Sequence, residues 1–82
     1  MVIYKVFLDL TLIMPRLRSF KLKEYNSNFP IVFVEAKSPD DACFKSVYVL
    51  INGILKQDDS VETRLLCRSI KEDIRIIKVR AE

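Results

Sequence analysis

The residue types able to do chemistry in this chain are two acidic pairs, Asp40-Asp41 and Asp58-Asp59, two cysteines, Cys43 and Cys67, and hydroxyls that include Ser19, Ser46, Ser60 and Thr63. Neighbouring carboxylates can hold a divalent cation or divide acid and base roles between them. A thiol or hydroxyl becomes a nucleophile when a base stands beside it. The chain has no His and only one Gly. The hydroxyls and thiols therefore lack the usual base, His-containing zinc sites are excluded, and a Gly-rich phosphate loop cannot be built. Each acidic pair falls where a helix is predicted to begin, and the helix dipole already accounts for carboxylates there. No catalytic residue, metal site or cofactor is assigned, no small-molecule substrate is evident, and a non-enzymatic protein is expected.

What remains is the chemistry of contact. Of the net charge of +3, all lies before Ile31: Lys5, Arg16, Arg18, Lys21 and Lys23 stand against Asp9 and Glu24, while the rest of the chain balances. Arg16, Arg18, Lys21 and Lys23 are interleaved with Phe20 and Tyr25. Cations neutralise phosphates and rings stack on unpaired bases, so this segment suits nucleic acid or an acidic protein partner; an ordinary solvated segment has the same composition. Arg64, Arg68 and Lys71 follow at i, i+4 and i+7, on one face of a predicted helix, with Arg75 beyond. Together they would make a second cationic patch for nucleic acid or an acidic partner, but Glu62, Glu72 and Asp73 are close enough in sequence to neutralise them, and a solvated helix face is expected.

The elements that position these residues follow from periodicity. Residues 2–13 alternate apolar and polar, with Val2, Tyr4, Val6, Leu8, Leu10 and Leu12 on one parity, which predicts a long strand ended by Pro15. Residues 14–28 read as a basic connection or a projecting hairpin arm. A second strand is predicted over Phe29–Ala36. Ser38-Pro39-Asp40-Asp41 is a helix start, with Ser38 as N-cap and Asp41 in the place of a capping-box acid. Over Ala42–Lys56, Phe44, Val47, Ile51 and Leu55 make a helical stripe, widened by Cys43, Leu50 and Ile54. Asn52-Gly53 competes as a hairpin turn, but too few residues follow it to make a paired strand, and the helix is favoured. A second helix is predicted from Asp59 or Ser60 to about Lys71, with Val61, Leu65, Leu66 and Ile70 as its apolar side. Ile74–Val79 reads as a last strand of mixed phase, expected at an edge or with a bulge.

The 82 residues thus make a single small α+β domain, a two-layer ββααβ arrangement with a three-stranded antiparallel sheet, the first strand central, and two helices packed on one face. Two helices cannot cover both sides of a sheet. With Val2, Tyr4, Val6, Leu8 and Leu10 toward the helices, Ile3, Phe7, Ile31 and Phe33 are left on the other face, an apolar patch suited to a protein contact. The competing expectation is that the 14–28 segment folds back over this face with Leu17, Phe20 and Leu22. An interaction module is predicted that binds a protein partner, or a second copy of itself through this face or the edge of the second strand. A nucleic-acid-binding accessory protein using the basic arm is the alternative.

Asp9 interrupts the first apolar stretch, no signal-peptide cleavage pattern follows, and no apolar run reaches the length of a bilayer span. No membrane association is expected. Two cysteines among apolar neighbours read as reduced thiols rather than a disulfide framework, which places the protein in the cytoplasm. Size and composition of this kind are shared by accessory proteins of phages and mobile elements, an association that carries no mechanism.

Overall fold

The computed structural model describes residues 1–19 and 28–82. The order is β1 (Val2–Asp9), α1 (Met14–Ser19), β2 (Ile31–Ala36), α2 (Pro39–Gln57), α3 (Val61–Ile70) and β3 (Arg75–Ala81), with a 3-10 turn over Lys71–Asp73 before the last strand. The strands form one antiparallel sheet, β2-β1-β3, with the longest and most regularly alternating strand in the middle, as expected. Tyr4, Val6 and Leu8 of β1 and Val34 and Ala36 of β2 face the helices, where Leu50 and Ile54 of α2 and Leu66 and Ile70 of α3 complete the core. Each such Leu or Ile contributes about 1.5–3 kcal/mol by leaving water.

β1 is shorter than the alternation predicts. The Asp9 carboxylate accepts hydrogen bonds from the Thr11 backbone N–H at 2.9 Å and the Thr11 hydroxyl at 2.6 Å, a local turn that ends the strand. The Leu10 carbonyl then accepts from the N–H groups of Ile13 and Met14, and the chain winds into α1. Pro15 lies in the first turn of that helix, where its missing N–H costs nothing. The sequence carried a signal for this: Leu10, Ile13, Met14 and Leu17 are spaced i, i+3, i+4, i+7, and all four are buried. Strand alternation through Leu12 masked it, and Leu12 is exposed. The expected arm is therefore corrected over 14–19, which is a helix anchored in the core by Met14 and Leu17. Phe20, Lys21, Leu22, Lys23 and Tyr25 lie outside the described residues.

α2 begins as predicted. The Ser38 hydroxyl accepts from the Asp41 N–H at 3.1 Å, and Pro39 occupies the first helical position. Asp41 reaches one residue beyond the capping-box target and accepts from the Lys37 N–H at 3.1 Å. The helix runs through Asn52-Gly53 because turning there would strip Leu50 and Ile54 from the core. Its buried line is Ala42, Ser46, Leu50 and Ile54, rotated from the expected stripe, so Val47, Ile51 and Leu55 flank the core and Phe44 is exposed. The buried Ser46 hydroxyl donates to the Cys43 carbonyl at 2.7 Å. In α3, Ser60 is the N-cap and accepts from the Thr63 N–H at 3.2 Å. Thr63, Leu66, Cys67 and Ile70 are inward there, whereas Val61 and Leu65, expected inside, face solvent.

β3 is an edge strand with a bulge. Phe7 stands opposite Lys78 but Leu8 stands opposite Ile76, which leaves Ile77 as the extra residue and explains the adjacent isoleucines. Among the described residues no helix is long and apolar enough to cross a membrane.

Candidate interaction surface

The strand register fixes what the sheet shows on its far side. Side chains alternate across a strand, so if Tyr4, Val6 and Leu8 face the helices, Ile3, Lys5 and Phe7 face away. Their β2 partners are Glu35, Phe33 and Ile31, and Lys78 and Arg80 of β3 lie opposite Phe7 and Lys5. The sequence-predicted set of Ile3, Phe7, Ile31 and Phe33 is thus gathered on one face. Ile3 is 46%, Ile31 47% and Phe33 58% exposed, while Phe7 is half-buried. Leu17, one of the residues expected to fold over this face, is instead in the core on the helix side. The face also carries cations that the parity argument did not single out. The Lys5 ammonium lies 5.7 Å from the Phe33 ring centre and the Lys78 ammonium 5.9 Å from that of Phe7. Lys5 also pairs with Glu82 at 3.4 Å.

The apolar surface continues around the outer edge of β2. Leu8 donates to the Pro30 carbonyl and Leu10 to that of Asn28. Since antiparallel ladders alternate, Val32, Val34 and Ala36 direct their backbone groups to β1, and Ile31, Phe33 and Glu35 direct theirs outward. Lys45 agrees with this phase, reaching from α2 to donate to the Glu35 carbonyl at 3.0 Å. Among the described residues nothing pairs with the outward N–H and C=O of Ile31 and Phe33. Between this edge and α2 runs an open groove of about 520 Å³, lined on its apolar side by Phe33, Val34, Phe44, Tyr48 and Val49. Phe44 and Tyr48, one helical turn apart, hold their rings 4.8 Å from centre to centre. The rotation of α2 exposes this pair, and its i, i+4 spacing is the signal that could have found it.

The predicted basic residues that are described fall in two groups: Arg16 and Arg18 on α1, and Arg64, Arg68 and Lys71, which line one pocket together with Val47, Tyr48, Ile51 and Leu55 of α2. Arg16 is half-buried, paired with the Asp73 carboxylate and donating to the Ser69 carbonyl at 3.4 Å. Arg18 is exposed on the same short helix. Arg64 is bound by Asp59 through two parallel bonds, Nε to Oδ1 at 2.7 Å and Nη2 to Oδ2 at 3.0 Å, which neutralises it. Lys71 donates to the Tyr48 hydroxyl at 3.3 Å and lies 4.9 Å from its ring centre. Arg68 remains an exposed cation between them. Arg75 faces Asp9 across the sheet and helps hold that carboxyl below its ordinary range, after the larger effect of the Thr11 hydrogen bonds.

The acidic pairs do structural work. Asp58 accepts from the hydroxyls of Thr63 at 2.7 Å and Ser60 at 3.1 Å, and these bonds hold its carboxyl below the usual carboxylate range. Asp59 is held down by Arg64, and Asp41 chiefly by the Lys37 N–H. Cys43 and Cys67 are both free; Cys67 is buried and Cys43 half-buried, and burial pushes both thiols up, away from the reactive thiolate. No protein family, curated protein or solved structure matches this chain.

Proposed function

We propose that this chain is a small, non-enzymatic interaction module of the cytoplasm that binds another protein or itself, with the far sheet face and the outer edge of β2 as one continuous contact surface. The observation that carries it is the coincidence of three exposed apolar side chains, Ile3, Ile31 and Phe33, with a strand edge that nothing among the described residues pairs and an aromatic groove beside it. Apolar anchors near the centre of an interface contribute most of its affinity, and cations at the rim steer the approach. Lys78 and Arg80 of the edge strand β3 would supply that rim here, with Lys5 standing among the anchors.

The test is affinity capture from the native host with wild type and a Phe7→Glu/Phe33→Glu variant, which changes the face without touching the core. A protein retained by wild type and lost from the variant supports the proposal. The same proteins retained by both, together with no self-association, would overturn it.

A second reading has one specific observation in its favour: rings and ammonium groups alternate on the sheet face, Lys5 over Phe33 and Lys78 over Phe7. Single-stranded nucleic acid offers flat bases to the one and phosphates to the other. It predicts retention on single-stranded DNA or RNA that falls steeply with salt and is lost when Lys5, Lys78 and Arg80 are replaced by Ser. No retention at low salt ends that reading.

A further inference from the structure

The geometry points to a second copy of this chain as the partner at the β2 edge, paired antiparallel about a two-fold axis through Val32, so that two three-stranded sheets become one of six strands. This rests on the interaction-module reading and specifies its partner. The register follows from which backbone groups are open. The backbone groups of Ile31 and Phe33 point outward and nothing among the described residues pairs with them, the Glu35 carbonyl is already bonded by Lys45, and Pro30 precedes the strand. An antiparallel copy uses the outward residues in hydrogen-bonded pairs. Setting Ile31 opposite Phe33 of the second copy, and the reverse, makes four main-chain bonds and leaves the Lys45 bond intact. Centring on Phe33 instead would put the Ile31 N–H of the second copy on the Glu35 carbonyl that already accepts from Lys45, and would oppose Ile31 to the Glu35 carboxylate.

Side chains agree with the same choice. About Val32, Ile31 meets Phe33 on the open face at both ends, and Val32 meets Val32 on the helix face, all apolar cross-strand pairs. Residues 29–31 of one copy then lie along the groove of the other, against Phe44 and Tyr48. The surface is self-complementary, as a two-fold interface must be. From Ile31 to Val34, β2 also lacks the usual protections of an edge: it has no proline, no bulge and no charged side chain there. The exposed parts of Ile31, Phe33, Phe44, Tyr48 and Val49 come to at most ~1,000 Å² over two copies, the low end for a specific interface, so the dimer is expected to be weak.

Sedimentation equilibrium of the full chain from micromolar to millimolar concentration tests this. Monomer and dimer should exchange in that range, and Ile31→Lys should weaken the dimer more than ten-fold. Phe33→Pro removes an outward N–H that β1 does not use and should abolish the dimer, with circular dichroism checking that the fold persists. Because Val32 meets Val32 at a close, non-hydrogen-bonded position, Val32→Cys should give a disulfide-linked dimer on mild oxidation and Phe44→Cys, off the axis, should not. A strict monomer at millimolar concentration overturns the inference, as does a dimer indifferent to both Ile31→Lys and Phe33→Pro. If the chain is monomeric but the sheet-face variant still loses a captured protein, the self-pairing fails and the interaction module stands.

Discussion

Asp58 shows how an acidic residue that invites a chemical reading is absorbed by local structure. Its carboxylate holds the Ser60 and Thr63 hydroxyls that form the entry to α3. Because its folded pKa lies below the unfolded one, the stabilisation is complete above the unfolded value, near pH 4, and is lost as pH falls through the folded value. Asp58→Asn should therefore lower the denaturation midpoint at neutral pH and flatten its decline between about pH 5 and pH 2, as followed by urea unfolding at several pH values. Ser38 is the simpler case. Its hydroxyl satisfies the Asp41 N–H at the start of α2, and Ser38→Ala should cost about 1 kcal/mol in the same measurement. Both caps were legible in the sequence, since Ser-Pro-Asp-Asp and Asp-Asp-Ser are local patterns whose partners lie within five residues.

At the scale of elements, α2 and α1 illustrate opposite outcomes. α2 was predicted because its apolar spacing extends over four turns, which outweighs a single Asn-Gly turn signal. Gly53 is nonetheless a poor helix residue in mid-helix, and Gly53→Ala should raise stability by about 0.5–1 kcal/mol, seen as a higher thermal midpoint. α1 was hidden because six residues beginning at a Met-Pro pair offer little propensity of their own. It exists because Leu10, Ile13, Met14 and Leu17 all find the core. Leu17→Ala should accordingly cost about 2–5 kcal/mol, the penalty of a core cavity, whereas a residue on a projecting arm would cost almost nothing. Chemical denaturation distinguishes the two directly.

The whole molecule is asymmetric across its sheet. One side of β1 is sealed in the core beneath α2, and the other carries Ile3, Lys5 and Phe7 without a covering element among the described residues. Leu8→Ala on the sealed side should destabilise by about 2–5 kcal/mol, and Ile3→Thr on the open side should stay within about 0.5 kcal/mol at micromolar concentration. If the open face served the monomer's stability, both would be costly. The cations Lys5 and Lys78 beside the rings of Phe33 and Phe7 keep this face from being uniformly apolar and give any partner a charged frame to meet.

Read as a string, the chain already determined its α+β class, its central first strand, the sites where α2 and α3 begin, and the parity that gathers Ile3, Phe7, Ile31 and Phe33. These depend on periodicity and on capping, which act between near neighbours. Only the tertiary structure decided the rotation of α2 and α3 about their axes, the anchoring of residues 14–19, and the pairing of Arg16 with Asp73 and of Lys71 with Tyr48. Those outcomes depend on which surfaces meet across long separations in sequence: a helix with apolar residues on more than one stripe turns toward whichever neighbour packs it best. That choice left Phe44 and Tyr48 beside the open edge of β2.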